Sequence, residues 1–178
     1  MRQLTIVSYD ELWLGLFEAE SVLLQITLGQ VISRIHHVGS TAVRQYGSTA
    51  VPGLAAKPVI DILLEVVDLN ALDELNAAME YAGYTVRGEN GIQNRRYFTK
   101  GGEQRTHHIH AFAVGDTQIV KHLAFRDYLI KNTKAAKRYA EIKCAAVRES
   151  ENDTHRYSAL KTDFIKHHLR LALMGLEE

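Results

Sequence analysis

The stretch Gly47-Ser48-Thr49-Ala50-Val51-Pro52-Gly53-Leu54-Ala55-Ala56-Lys57-Pro58-Val59-Ile60-Asp61 sets a small-residue turn, both prolines of the chain, a lysine and a carboxylate just before the apolar run 60–67. A Gly-Ser turn brings backbone N–H groups close to a phosphate because no side chain blocks the approach. A carboxylate at the start of the following strand can hold a divalent cation beside it. Gly47, Ser48 and Lys57 are therefore candidate phosphate contacts, and Asp61 is a candidate ligand for Mg²⁺ or Mn²⁺. His108 and His110 flank Ile109, so on a strand they project from one face, where they can supply metal ligands, an acid/base pair or hydrogen bonds to a substrate. Phe112 shares that face, so some of it is expected to be packed. Arg95, Arg96, Lys100 and Arg105 gather on two adjoining segments. Arg96 and Arg105 are the candidates for countering phosphate charge, because guanidinium forks match phosphate oxygens.

These residues need a scaffold to bring them together. Residues 10–28 carry apolar positions at helical spacing, with Asp10 placed to cap and Gly29 to stop the helix. Residues 31–38 and 58–67 read as strands. A helix over 70–81 ends at Gly83, and shorter strands are expected over 84–86, 95–99 and 106–114, separated by glycine turns. Three helices follow, over 117–131, 134–149 and 154–174. In the first, Arg126 is expected to pair near Asp127 or with the sheet edge. Cys144 reads as a small core residue. No linker long enough to separate a pair of domains is visible, so the reading is a single domain over 1–178.

Lys plus Arg equal Asp plus Glu at 21 each, so no overall field draws the chain to nucleic acid or to an anionic membrane. Any anion recognition has to be local. With no long apolar run, no secretory leader pattern and one cysteine, the expectation is a cytoplasmic protein without a membrane span. P-loop, nucleophile-elbow, zinc-finger and dinucleotide signatures are missing from the sequence. The segment Val38-Gly39-Ser40-Thr41-Ala42-Val43 recurs eight residues later as Tyr46-Gly47-Ser48-Thr49-Ala50-Val51. The upstream copy follows a strand directly and the downstream copy keeps the short run to Asp61. The downstream pair, Gly47 and Ser48, is taken as the working turn.

Tyr9 with Trp13 and Phe17, the run GSTAVPGLAAKPVID ending at Asp61, Arg96-Tyr97-Phe98, Arg105-Thr106-His107-His108-Ile109-His110 and His122-Leu123-Ala124-Phe125-Arg126-Asp127-Tyr128-Leu129 together resemble the GrpB-like family, placed by fold in the nucleotidyltransferase superfamily. The resemblance covers nearly the whole chain. It implies an α+β fold, a nucleotidyltransferase-like mixed sheet flanked by helices with a helical C-terminal part, and a nucleotide-binding cleft faced by the Gly-Ser turn and the acidic strand. Taken with the candidate residues, the leading expectation is a metal-assisted nucleotidyl- or phosphoryl-transferase acting on a nucleotide or phosphorylated small molecule. A related segment fused to some dephospho-coenzyme A kinases points to nucleotide or cofactor metabolism. The chain departs from the superfamily pattern at Asp61-Ile62-Leu63, where a second acid would stand at the position of Leu63. Glu65 lies roughly 13 Å along the strand from Asp61, too far to share an ion. This departure leaves two alternatives open: a nucleotide-binding module without catalysis, or a metal-dependent hydrolase using His108 and His110.

Overall fold

The computed structural model describes residues 4–43 and 54–176. The expected turn at Gly47 and Ser48 lies outside them. Helix α1 (Leu12–Leu28) leads into β1 (Ile32–Val38), and β2 (Ile60–Val66) follows. Two short helices, α2 (Leu69–Glu74) and α3 (Asn76–Tyr81), precede the strands β3 (Tyr84–Val86), β4 (Arg96–Lys100) and β5 (His107–Ala113). Helices α4 (Thr117–Lys131), α5 (Thr133–Ser150), α6 (Thr154–Ala159) and α7 (Thr162–Met174) complete the chain. This is the anticipated α+β architecture.

The sheet runs β1-β2-β5-β4-β3. β2 and β5 are parallel, while β1, β4 and β3 add antiparallel at the flanks. Alternation sorts β2 into two faces. Ile62, Leu64 and Val66 join Ile109, Ala111 and Phe98 in the main core beneath Trp13, Leu24 and Leu28 of α1. The other face carries Asp61, Leu63 and Glu65, with Leu63 packed against Val38, Phe112 and Ile119. Phe112 is therefore packed, as its position on the His108/His110 face suggested.

Asp10, Asp116 and Asp153 accept from backbone N–H groups in the first turns of α1, α4 and α6, as short acceptor side chains do at helix starts. The expected helices over 70–81 and 154–174 are each broken. Leu75 separates α2 from α3, and Leu160 and Lys161 separate α6 from α7. At the second break Lys161 N–H donates to the Ser158 carbonyl, three residues back, which tightens the turn while leaving the apolar spacing intact. Residues Leu12–Val31 have the length and apolarity of a membrane span, with a mean hydropathy of 1.2, where the sequence reading expected none.

Candidate active site

β1 ends opposite Asp61, because Val38 pairs with it across the antiparallel ladder. The chain turns there at Gly39, whose φ is 71°, a left-handed value that suits glycine. A Cβ on Gly39 would lie 2.5 Å from Asp61 Oδ2, so only glycine lets the turn approach the carboxylate this closely. A short 3₁₀ turn, Ser40–Ala42, follows. Buried Thr41 ties it down: its hydroxyl donates to the Val59 carbonyl at 3.4 Å and receives His37 Nε2 at 2.9 Å. Burial lowers the His37 pKa to about 4, so the ring is a neutral donor at pH 7. Arg126 donates to the His37 carbonyl at 3.1 Å and pairs with Asp127 at 2.7 Å, the structural role expected of it. Thus the upstream copy of the duplicated segment, Gly39 and Ser40, stands beside Asp61, where the sequence reading had placed the downstream copy.

The parallel β2/β5 ladder sets Asp61 level with His108, and the Asp61 carboxylate lies 3.2 Å from His108 Nδ1 and 4.0 Å from His110 Nε2. Burial pushes the Asp61 pKa up, but the hydrogen bond from His108 and the fields of His108, His110 and Lys57 outweigh it, holding the group below its ordinary value. Arg95 is buried beside these rings and bonds the carbonyls of Glu89 and Asn90. Its third contact is His110 Nδ1, at 3.3 Å. An arginine only donates, so Nδ1 of His110 must accept and its proton sits on Nε2, facing Asp61. Burial, reinforced by neighbouring His122, lowers the His110 pKa to about 3. His110 is therefore a neutral N–H donor with no lone pair turned toward Asp61. His108 gives its Nδ1–H to Asp61 and has Nε2 left for a further partner.

Three lysines complete the cleft. Lys57, from the segment before β2, and Lys161, from the break between α6 and α7, both lie over the Tyr157 ring, at 4.3 and 4.0 Å from its centre. Lys143 of α5 donates to the Ala55 carbonyl and lies 4.9 Å from the centre of Tyr139. Together with Gly39, Ser40, Asp61 and His108 they line a cavity of about 340 Å³. Burial, and then the charge of Lys161, bring the Lys143 pKa down to about 7; burial and Lys57 bring that of Lys161 to about 8. The sequence reading did not single out Lys143 or Lys161. The signal for Lys143 was its place on the buried stripe of α5, between Tyr139 and Ala146. A second cavity, of about 410 Å³, adjoins the first at Asp61 and Lys161, and Phe125, Leu129 and Ile165 contribute to its wall.

Other expected contacts lie elsewhere. Arg96 points to the opposite face of the sheet, because it pairs in register with Ala111 rather than His110, and it forms a two-pronged bond to Asp73 of α2, 2.7 Å on each prong. It therefore stands outside the cleft at Asp61. Lys100 bonds Glu20 on that same far side, at 2.8 Å. Arg105 sits in the turn between β4 and β5, half-buried. Glu65 is taken by His36 at 2.7 Å.

The donors at Asp61 bear directly on a metal. The second-acid position, Leu63, is fully buried among apolar side chains. No group of three or more His, Cys, Asp or Glu able to hold an ion occurs among the described residues, and His110 presents a proton. A two-metal centre does not fit these residues, nor does a His108/His110 metal pair. One Mg²⁺ held jointly by a single carboxylate and ligand phosphates does fit Asp61.

Residues 43–171 match the family described as GrpB protein. The chain belongs to the GrpB family. Among its relatives, the UPF0157 protein YqkA of Bacillus subtilis is 40% identical over 93% of this chain, and a dephospho-CoA kinase of Mycobacterium leprae is 28% identical over 90% of it. The GrpB chain spans 46% and 44% of those proteins' lengths, about half of each. The crystal structure of the conserved protein GrpB from Enterococcus faecalis superposes with a TM-score of 0.88 at 35% identity, covering 98% of this chain and all of that one. Cid1, in complex with its short product ApU, superposes with a TM-score of 0.51 at 11% identity, over 78% of this chain and 42% of its own. The fold of the GrpB chain is thus nucleotidyltransferase-like.

Proposed function

We propose that the cleft at Asp61 binds a nucleotide or another phosphorylated small molecule by its phosphates and supports nucleotidyl or phosphoryl transfer. The observation that carries this reading is the convergence of Lys57, Lys143 and Lys161 with the Gly39–Ser40 turn on a single carboxylate. Transfer of this kind needs little covalent help from a protein; it needs the phosphates positioned and their charge countered. Here the lysines counter it, standing in for the missing second acid and its metal. The Gly39 turn admits phosphate oxygens close to backbone, and the apolar cavity beside Asp61 takes the rest of the ligand. Asp61 orients His108 through Nδ1, and the lone pair on Nε2 takes the proton from an attacking hydroxyl or water. His110 offers its Nε2–H to an oxygen at which charge develops. When bound, one Mg²⁺ or Mn²⁺ on Asp61 would add further neutralisation at the phosphates.

The second reading, binding without catalysis, is favoured by buried Leu63. Both readings share one test. Calorimetric titration with ATP, GTP, CTP and pyrophosphate, with and without Mg²⁺ or Mn²⁺, is expected to show binding that Lys143→Ala weakens at least tenfold, with an Asp61→Ala effect confined to the metal-dependent component. No binding by any of the four would overturn both. Binding without pyrophosphate release from a triphosphate, in the presence of alcohol acceptors and unaffected by His108→Asn, would leave the second reading standing.

A further inference from the structure

Helix α1 is apolar on two sides. Its inner side buries Trp13, Leu24 and Leu28. On its outer side Leu12, Gly15, Ala19, Val22 and Ile26 recur at alternating intervals of three and four, the spacing of a helix–helix seam. Leu12 is 70% exposed, Val22 61% and Ile26 78%, with Leu16 beside them at 50%. At 100° per residue these positions fill about a third of the helix circumference. The side chains present roughly 500 Å² of apolar surface, at the upper end for a patch on a protein that works alone.

We propose that this face pairs with the same face of a second copy of the chain, the two α1 helices running antiparallel about a two-fold axis at Ala19. The seam is complementary to itself in that direction alone. Antiparallel pairing centred on Ala19 sets Leu12 against Ile26 of the partner subunit at both ends, and small Ala19 meets its own counterpart where the axes come closest. In the same register Val22 of the partner subunit lies level with Leu16, and Gly15, one residue along, leaves room beside it. A parallel pair would put Gly15 on Gly15 and leave a hole, and it would set the two helix dipoles side by side in the same direction, like ends together. About 1,000 Å² would be buried over the two copies, the lower bound for a specific interface. Formal net charge is zero at pH 7, and the acidic groups at the rim of the seam, Glu11 and Glu18, are exposed, where water and salt screen their repulsion.

The test uses the full chain. Sedimentation equilibrium between 1 and 100 µM is expected to give twice the 20.0 kDa chain mass. Leu12→Glu and Ile26→Glu, both at exposed positions, are expected to return the single-chain mass with unchanged circular dichroism. In a Cys144→Ser background, Ala19→Cys is expected to form an intermolecular disulfide on mild oxidation, while Tyr81→Cys, at a position 97% exposed, does not. A monomer throughout the range, or equal cross-linking of the two cysteine variants, would overturn the proposal. So would co-sedimentation of the monomer with phosphatidylcholine vesicles that Ile26→Glu abolishes, which would make the face a lipid contact.

Discussion

Raising the pH from 7.5 to 9 is expected to weaken phosphate binding by on the order of 10²-fold, and the cause lies in two lysines. Burial leaves the ammonium groups of Lys143 and Lys161 with pKa values of about 7 and about 8 in the free protein. A bound polyphosphate holds both protonated. Affinity then follows the fraction of free protein already carrying each proton, which over this interval falls about 25-fold for Lys143 and about eightfold for Lys161. Near pH 7.5 the same reasoning gives uptake of about one proton per ligand bound. The groups that modulate these lysines are Lys57, whose charge lowers both, and Asp61, whose charge raises both. ADP is a suitable probe, because a terminal phosphate with a second pKa near 6 is already ionised across the interval. Titration calorimetry in buffers of different ionisation enthalpy reads affinity and proton uptake together. An affinity constant to within twofold between pH 7.5 and 9, or a proton released on binding, would refute the reasoning.

Two substitutions test the local geometry. Lys143→Met removes a buried ammonium and is expected to raise unfolding free energy by a few kcal/mol at pH 6 while abolishing ADP binding. Because the folded-state pKa of Lys143 lies below its unfolded value of 10.5, the unfolded chain holds the extra proton between about pH 7 and 10.5. The wild-type penalty is thus full below pH 7 and fades as pH rises, and urea melts at pH 6 and pH 10 should show the gain shrinking. Arg96→Ala breaks the pair with Asp73, in which the arginine side chain is 20% and the aspartate 37% exposed. A loss of about 1 kcal/mol in the same melts is expected, with ADP affinity unchanged within twofold, since Arg96 faces away from the cleft.

The strands were legible because β-branched and other apolar residues mark 58–67 and 106–114, and even their limits differ from β2 and β5 by only one or two residues. The breaks at Leu75 and Lys161 were not, because an apolar pattern continues across one tightened turn without a change of phase. Of the site, Lys57, Asp61, His108 and His110 could be gathered from local spacing, and they do meet. That the upstream Gly-Ser turn reaches Asp61 could not: it depends on Val38 lying opposite Asp61, a pairing across the sheet that repeated letters do not encode. Arg96 illustrates the reverse. Its neighbour Tyr97 reaches His110, at 5.1 Å between ring centres, and a single step along a strand sends Arg96 to the other face. Lys143 and Lys161 read as ordinary helix charges until the packing of α5 and α6 turns them inward.

The sheet supplies the carboxylate and the imidazoles, whereas two of the three ammonium groups arrive from the C-terminal part, Lys143 on α5 and Lys161 at the break before α7. Under the proposed function, recognition and reactivity are then inherited from separate stretches of the gene. Exchanging the stretch 133–162 between family members would leave the reacting groups on their strands and retune which anion is admitted, giving selection a dial for substrate choice that does not disturb the chemistry beneath it.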